Sequence, residues 1–211
     1  MTRFLVVLDV DSTLIQDEVI ELLADAAGVR EEVAAVTERA MRGELDFAAS
    51  LRERVATLAG LPITVFEDTL QRIRPTTGVH EFIAAVHAAD GKVGAVSGGF
   101  SQVLDVLARD LNLDFHRANL LDIEKGKLTG KVASEIVDAK AKATALFEWA
   151  AQCNLSLGQT ISVGDGANDL EMMKISGLSV AFNAKPIVRE NAKLVIAKND
   201  LRELIALLPR A

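Results

Sequence analysis

A single cysteine, Cys153, leaves this 211-residue chain with no intramolecular disulfide. With no basic-then-apolar leader at its start, a reducing cytoplasm is the expected setting. With 8 Phe, 1 Trp and no Tyr, it has little to stack on bases. Its net charge of −7 excludes the broad basic field that nucleic acid requires, though not a local basic pocket for a small anion. No apolar run approaches the ~20 residues of a membrane span. Nor is there a Gly-x-x-x-x-Gly-Lys-Ser/Thr string, so a P-loop is excluded. His80, His87 and His116 are scattered without ligand spacing and read as structural residues rather than a zinc site. What remains is a soluble globular protein of one mid-sized domain, or a core domain with a smaller insertion, with neither nucleic acid nor membrane as partner.

Strand-like and helix-like segments alternate along the chain, the pattern of βα units around a parallel sheet. Phe4 to Val10 is a β-prone run suited to a strand buried on both faces. After it, Glu18–Ala27, Glu31–Met41, Asp46–Ala59 and Val65–Ile73 carry apolar residues at helical spacing, broken at Gly28, Gly43 and Gly60-Leu61-Pro62. The expected architecture is therefore α/β: a Rossmann-like parallel sheet flanked by helices, with a small helical cap inserted after the first strand. Residues 1–15 and 74–211 would form the core and 16–73 the cap. Further strands are expected at Lys92–Val96, Phe115–Asn119, Thr160–Val163, Leu178–Phe182 and Leu194–Ala197, with a hairpin around Gly126 and a last helix at Leu201–Leu208.

Polar residues gather where these strands end, the edge at which open α/β sheets bind ligands. Asp9-Val-Asp11-Ser-Thr closes the first run. Either Asp has the chemistry to cap a following helix, but Asp17, just before the amphipathic run Glu18–Ala27, is the better-placed cap. Ser97-Gly98-Gly99 reads either as an anion-binding turn into a helix or as a tight turn with a Ser cap. Gly164-Asp165-Gly166-Ala-Asn168-Asp169 repeats the acidic, glycine-bounded pattern at another strand end. It lacks the third glycine of a dinucleotide fingerprint. Lys142 opposes the helix dipole at the start of its helix, and position alone favours a solvated lysine. Counted as an EF-hand from Asp9, the first loop has Leu14 and Ile20 where glycine and glutamate are required, so that reading fails.

Carboxylates converging on one crevice call for a cation, and oxygen ligands select a hard ion such as Mg²⁺. Ser97, the glycine N–H groups and Lys142 would bind the remaining charge of a phosphoryl group. One Asp then acts as nucleophile while a second carboxyl moves protons, which is phosphoryl transfer through an aspartyl-phosphate.

In order and spacing, Asp9-Val-Asp11-Ser-Thr, Ser97-Gly98-Gly99, Lys142 and Gly164-Asp165-Gly166-Ala-Asn168-Asp169 resemble the four motifs of the haloacid dehalogenase superfamily. With Glu18, Met41-Arg-Gly, Phe47, Ser50-Leu-Arg52-Glu-Arg54-Val55, Val96-Ser-Gly-Gly-Phe100 and Ala184-Lys-Pro186, the chain resembles more narrowly the branch that hydrolyses O-phospho-L-serine, the last step of serine biosynthesis. The resemblance implies Asp9 as nucleophile and Asp11 as the acid and base. Mg²⁺ would lie on the Asp9 carboxylate, the Asp11 carbonyl and the Asp165 carboxylate, with Asp169 acting from nearby or through water. Ser97, Gly98 and Lys142 would bind phosphoryl oxygens, and Asn168 the substrate or a water. In the cap, Glu18 would pair with the substrate ammonium and Arg54 with its carboxylate, while Met41 and Phe47 close over the carbon skeleton. Without the resemblance, Glu18 reads as a first-turn acid and Arg54 as part of a solvated Arg52-Glu53-Arg54 face. A monomer or homodimer is expected, with no room for the added N-terminal domain of some relatives. Two alternatives are a phosphotransferase passing the group to homoserine and a binding protein that has lost catalysis.

Overall fold

The computed structural model describes residues 1–42 and 44–209, with only the main chain at residue 41. Phe4–Leu8 forms β1, and all five of its residues are buried. Because successive side chains of a strand point to opposite faces, Phe4, Val6 and Leu8 join one core with Phe82, Val86 and Leu104. Leu5 and Val7 join a second core with Leu146, Trp149 and Met172. Burying each such side chain stabilises the fold by roughly 1.5–3 kcal/mol. The unbroken apolar run thus follows from a sheet covered on both faces.

In chain order the further strands are β2 (Gly91–Phe100), β3 (Phe115–Asn119), the antiparallel pair β4 (Leu121–Glu124) and β5 (Lys127–Val132), then β6 (Thr160–Gly164), β7 (Leu178–Phe182) and β8 (Leu194–Ile196). The main sheet has six strands, all parallel, in the order β3-β2-β1-β6-β7-β8. It is built outward from β1 through β2 to β3, then resumes on the other side of β1 with β6. That reversal opens a crevice at the carboxyl ends of β1, β2 and β6.

Five α-helices lie between β1 and β2 among the described residues: the four of an insertion, α1 (Val19–Ala27), α2 (Arg30–Met41), α3 (Phe47–Ala56) and α4 (Val65–Arg72), and then α5 (Val79–Ala88), which leads into the sheet. α6 (Ser101–Asp110), α7 (Ala139–Gln152), α8 (Leu170–Ile175) and α9 (Pro186–Asn191) are the further α-helices among the described residues, and the last helix expected at Leu201–Leu208 is a 3-10 helix over Leu201–Leu207. Where the four-helix insertion leaves and rejoins the sheet, its two connections lie antiparallel. Gln16 N–H donates to Arg74 O (2.9 Å) and Thr76 N–H to Leu14 O (3.0 Å). On its far side the insertion is tied to the β4–β5 hairpin: Gly60 N–H donates to Leu128 O and Leu128 N–H to Leu61 O, both at 2.8 Å.

Two local expectations are corrected. Asp17 does not cap α1. Its carboxylate instead accepts from the Arg74 main-chain N–H (2.8 Å) and guanidinium (2.6 Å), bracing the two connections, and Glu18 at the N-cap position makes no capping bond with its side chain. Nor does Ser97-Gly98-Gly99 open a helix. β2 continues through Phe100, and α6 begins at Ser101.

Candidate active site

Asp9 follows β1 directly and is anchored by its N–H, which donates to Val163 O of β6 at 2.9 Å. The chain then makes one wide turn, Val10–Leu14, closed by Ile15 N–H on Val10 O (3.0 Å), with Ser12 left-handed at φ 58°. Such a backbone costs a non-glycine residue of order 1–3 kcal/mol and concentrates at functional sites. The Ser12 hydroxyl donates to Glu18 Oε1 at 2.8 Å, linking the turn to the start of α1.

Lys142 lies in the first turn of α7, a helix capped by Asp138, whose carboxylate accepts from Ala141 N–H at 2.9 Å. It is fully buried, not solvated. Its ammonium donates to Asp9 Oδ1 at 2.5 Å and to Asp169 Oδ1 at 2.7 Å. These two carboxylates outweigh the unfavourable helix dipole, which is worth ~1 kcal/mol or less at an exposed site. The other oxygen of Asp169 accepts from the N–H groups of Asp165 and Gly166, each at 3.1 Å. A side chain at Gly164 would place its Cβ 2.3 Å from that oxygen, so the close approach requires glycine there.

Asp9, Asp165 and Asp169 are all buried, and each offers a carboxylate oxygen within 4.8 Å of the others'. Burial, reinforced by the charge of Asp169, pushes the Asp9 carboxyl up to about 7 against the pull of Lys142. The same two causes push Asp165 up to about 6. Burial, then the charges of Glu18 and Asp9, holds Asp11 well above the carboxylate range. The Lys142 pKa is raised as well: burial depresses it, but the charges of Asp169 and Asp9 more than reverse this and secure its charge. The crevice is therefore rich in carboxylates, and among the described residues Lys142 is its only buried cation. Its donors are all oxygens, and buried Asp11 Oδ1 has no hydrogen-bond partner. This is the donor set of a hard divalent ion.

Ser97, at the carboxyl end of β2, is buried, and its Oγ accepts from Gly99 N–H at 2.7 Å, leaving the hydroxyl proton to donate elsewhere. A Cβ at Gly99 would come 3.2 Å from Asp11 Oδ2, and one at Gly98 would fall 2.8 Å from the Phe47 ring. Phe47 of α3 thus lies over the Ser97–Gly99 segment. Half-buried Arg54, also on α3, has its guanidinium pKa lowered by burial against the opposing charges of Glu18 and Asp11. The fold thus brings Asp9, Asp11, Lys142, Asp165, Asp169, Ser97, Gly98, Glu18, Phe47 and Arg54 around one crevice. Asn168 is half-buried with its amide oxygen turned back toward Gly166. The Met41 side chain lies outside the described residues.

Asn119 is a polar participant that the sequence pattern marks only as the end of a strand. Fully buried, it donates to the carbonyls of Gly98 (2.8 Å) and Gly99 (3.2 Å) and accepts from Val137 N–H (2.8 Å). An asparagine closing a β-prone run is the one signal that could have drawn attention to it. No described helix is long and apolar enough to cross a membrane.

Residues 6–174 match the sequence profile of the haloacid dehalogenase-like hydrolases. The chain is 52% identical over 204 residues to the phosphoserine phosphatase of Streptococcus thermophilus, covering 97% of this chain and 95% of that one. Two solved structures superpose on 99% of this chain and 100% of theirs at a TM-score of 0.93 and 42% identity. One is a phospho-aspartyl intermediate analogue of phosphoserine phosphatase, the other a substrate-bound phosphoserine phosphatase.

Proposed function

This chain belongs to the haloacid dehalogenase-like hydrolase family, and we propose that it hydrolyses O-phospho-L-serine to L-serine and phosphate. The observation that carries the reading is the Asp9–Lys142–Asp169 chain of contacts at the crevice, faced by Glu18 and Arg54 from the helical insertion.

In the first half-reaction Asp9 attacks phosphorus. The bond from phosphorus to the seryl oxygen breaks, and Asp11 gives that oxygen a proton. The raised pKa of Asp11 suits it to carry one. In the second half, Asp11 takes a proton from a water that attacks the aspartyl-phosphate, releasing phosphate and freeing Asp9. Ser97, Gly98 and Lys142 hold the phosphoryl oxygens, and Asn168 bonds substrate or the water. Asp169, with Lys142 on one oxygen and two N–H groups on the other, keeps the ammonium aimed at Asp9.

The clustered oxygens fit Mg²⁺, which the Asp9 and Asp165 carboxylates and the Asp11 carbonyl would hold, with Asp169 nearby. When bound, it neutralises the crevice and the incoming phosphoryl charge. Residues 1–15 and 74–211 serve as the catalytic core. Residues 16–73 serve as a lid in which Glu18 reads the ammonium, Arg54 the carboxylate, and Met41 and Phe47 the carbon skeleton. Lid closure shuts out bulk water during transfer.

The test measures phosphate and L-serine released from O-phospho-L-serine with Mg²⁺, against a panel of small phosphomonoesters, with and without homoserine. Equal phosphate and serine, with phosphoserine the preferred ester, is the expected result. Phosphohomoserine formed at the expense of free phosphate would replace hydrolysis by transfer. No release from any ester would leave a binding protein.

A further inference from the structure

We propose that Asn119 is a positioning residue for phosphoryl binding: one buried amide that fixes both the Ser97–Gly99 segment and the approach to Lys142. The proposal rests on the phosphoryl-transfer reading of the crevice but concerns a residue that touches neither substrate nor metal.

The sheet carries a defect at this edge. β2 and β3 pair in register from Gly94 opposite Phe115 to Val96 opposite Arg117, and then Phe100 stands opposite Asn119. Ser97, Gly98 and Gly99 thus face the single Ala118, a bulge that breaks the ladder and re-aims the strand. Bulged carbonyls in a buried strand need other partners. The Asn119 amide supplies them, donating to Gly98 O at 2.8 Å and Gly99 O at 3.2 Å. Its oxygen accepts from Val137 N–H at 2.8 Å, so one orientation of the amide satisfies all three bonds.

Val137 immediately precedes Asp138, the cap of α7, and Lys142 N–H donates to Asp138 O at 2.9 Å. One side chain therefore joins the two segments that carry Ser97 and Lys142, groups whose spacing must match the oxygens of one phosphoryl group. There is little slack. Beside Asn119's two acceptors, a Cβ at Gly98 would press on Phe47 and one at Gly99 on Asp11. A shift of a few tenths of an ångström in the bulge would thus be felt by the nucleophile's neighbour and by the lid.

Asn119→Asp keeps shape and the Val137 acceptor, but sets a carboxylate oxygen against two carbonyls. Asn119→Ser, smaller and uncharged, is the second variant should the first fail to fold. Three readings are taken on folded protein with Mg²⁺: affinity for inorganic phosphate by calorimetry, inhibition by L-serine, and kcat and KM on phosphoserine and p-nitrophenyl phosphate. Losing a buried, doubly used donor predicts phosphate affinity about tenfold weaker or worse. kcat should fall by a similar or larger factor on both esters, with L-serine inhibition unchanged. In Asn119→Asp, activity relative to wild type should recover as the pH is lowered and the carboxyl regains a proton to donate. Unchanged phosphate affinity in the folded variants, or loss confined to a smaller folded fraction, would overturn the proposal. A wild type that binds phosphate but leaves phosphoserine intact would refute the assigned function, while the variants' phosphate affinities would still decide the role of Asn119. If the wild type binds no phosphate, both fall.

Discussion

Replacing Lys142 by methionine keeps most of the apolar stem of a fully buried side chain and removes its ammonium, both the charge and the N–H donors. At 2.5 Å from Asp9 and 2.7 Å from Asp169, each contact is worth about 6 kcal/mol in Coulomb terms at an effective dielectric near 20. Much of that is offset by the cost of burying the ions. The measurable consequence is the penalty for stranding two carboxylates, about 3–5 kcal/mol. Against a total stability of 5–15 kcal/mol, that is a large fraction. Urea unfolding without metal at pH 8 should register this loss. The loss should shrink at pH 5, where the stranded Asp9, its pKa already raised to about 7, takes up a proton, and shrink again in Mg²⁺, which supplies the missing positive charge. The double variant Lys142→Met/Asp169→Asn removes one of the stranded charges and should recover about 1 kcal/mol or more over the single variant. A single variant within 1 kcal/mol of wild type, or a double variant whose losses simply add, would refute the claim that this ammonium neutralises the pair.

Asp9→Asn should lower phosphoserine turnover more than about a thousandfold while leaving the unfolding transition cooperative; substantial residual turnover would argue against a covalent intermediate on Asp9. Arg54→Ala should reduce kcat/KM on phosphoserine by about thirtyfold or more, yet spare p-nitrophenyl phosphate, which has no carboxylate; equal losses would remove Arg54 from substrate recognition. In metal-free protein the native state holds protons on Asp9 and Asp165 that the unfolded chain has released by about pH 4–5, because their pKa values are raised to about 7 and about 6. Stability should therefore decline as pH rises from about 4 to 7, and Mg²⁺ should restore more at pH 7.5 than at pH 5. A metal-free melting temperature that rises through that window would contradict the sign.

The parts of this fold legible in the sequence are those set by local pattern. Phe4–Leu8 reads as a doubly buried strand because its side chains are apolar without alternation. The hairpin is visible around Gly126, and β3 and β7 have the expected boundaries because turn residues bound them. The crevice was partly legible for the same reason, since Asp9, Ser97 and Asp165 each interrupt or end an apolar run.

What escaped local reading is what depends on a distant partner. Asp17 has the chemistry of a helix cap, but Arg74, 57 residues away, offers it three N–H donors and a charge. Ser97-Gly98-Gly99 has the composition of a turn, but Asn119 pays for the broken ladder and keeps it in the strand. Lys142 has the position of a solvated lysine, but Asp9 lies 133 residues off, at 2.5 Å. By itself the sequence determined the secondary elements, the α/β class and the residue types available for phosphoryl transfer, because periodicity and side-chain chemistry act over a few residues. Only the tertiary structure decided which carboxylates share the buried Lys142 ammonium, how far the pKa values of Asp9 and Asp165 rise, and that one amide spans two segments of the crevice. Those quantities depend on distance and desolvation, which chain order does not encode.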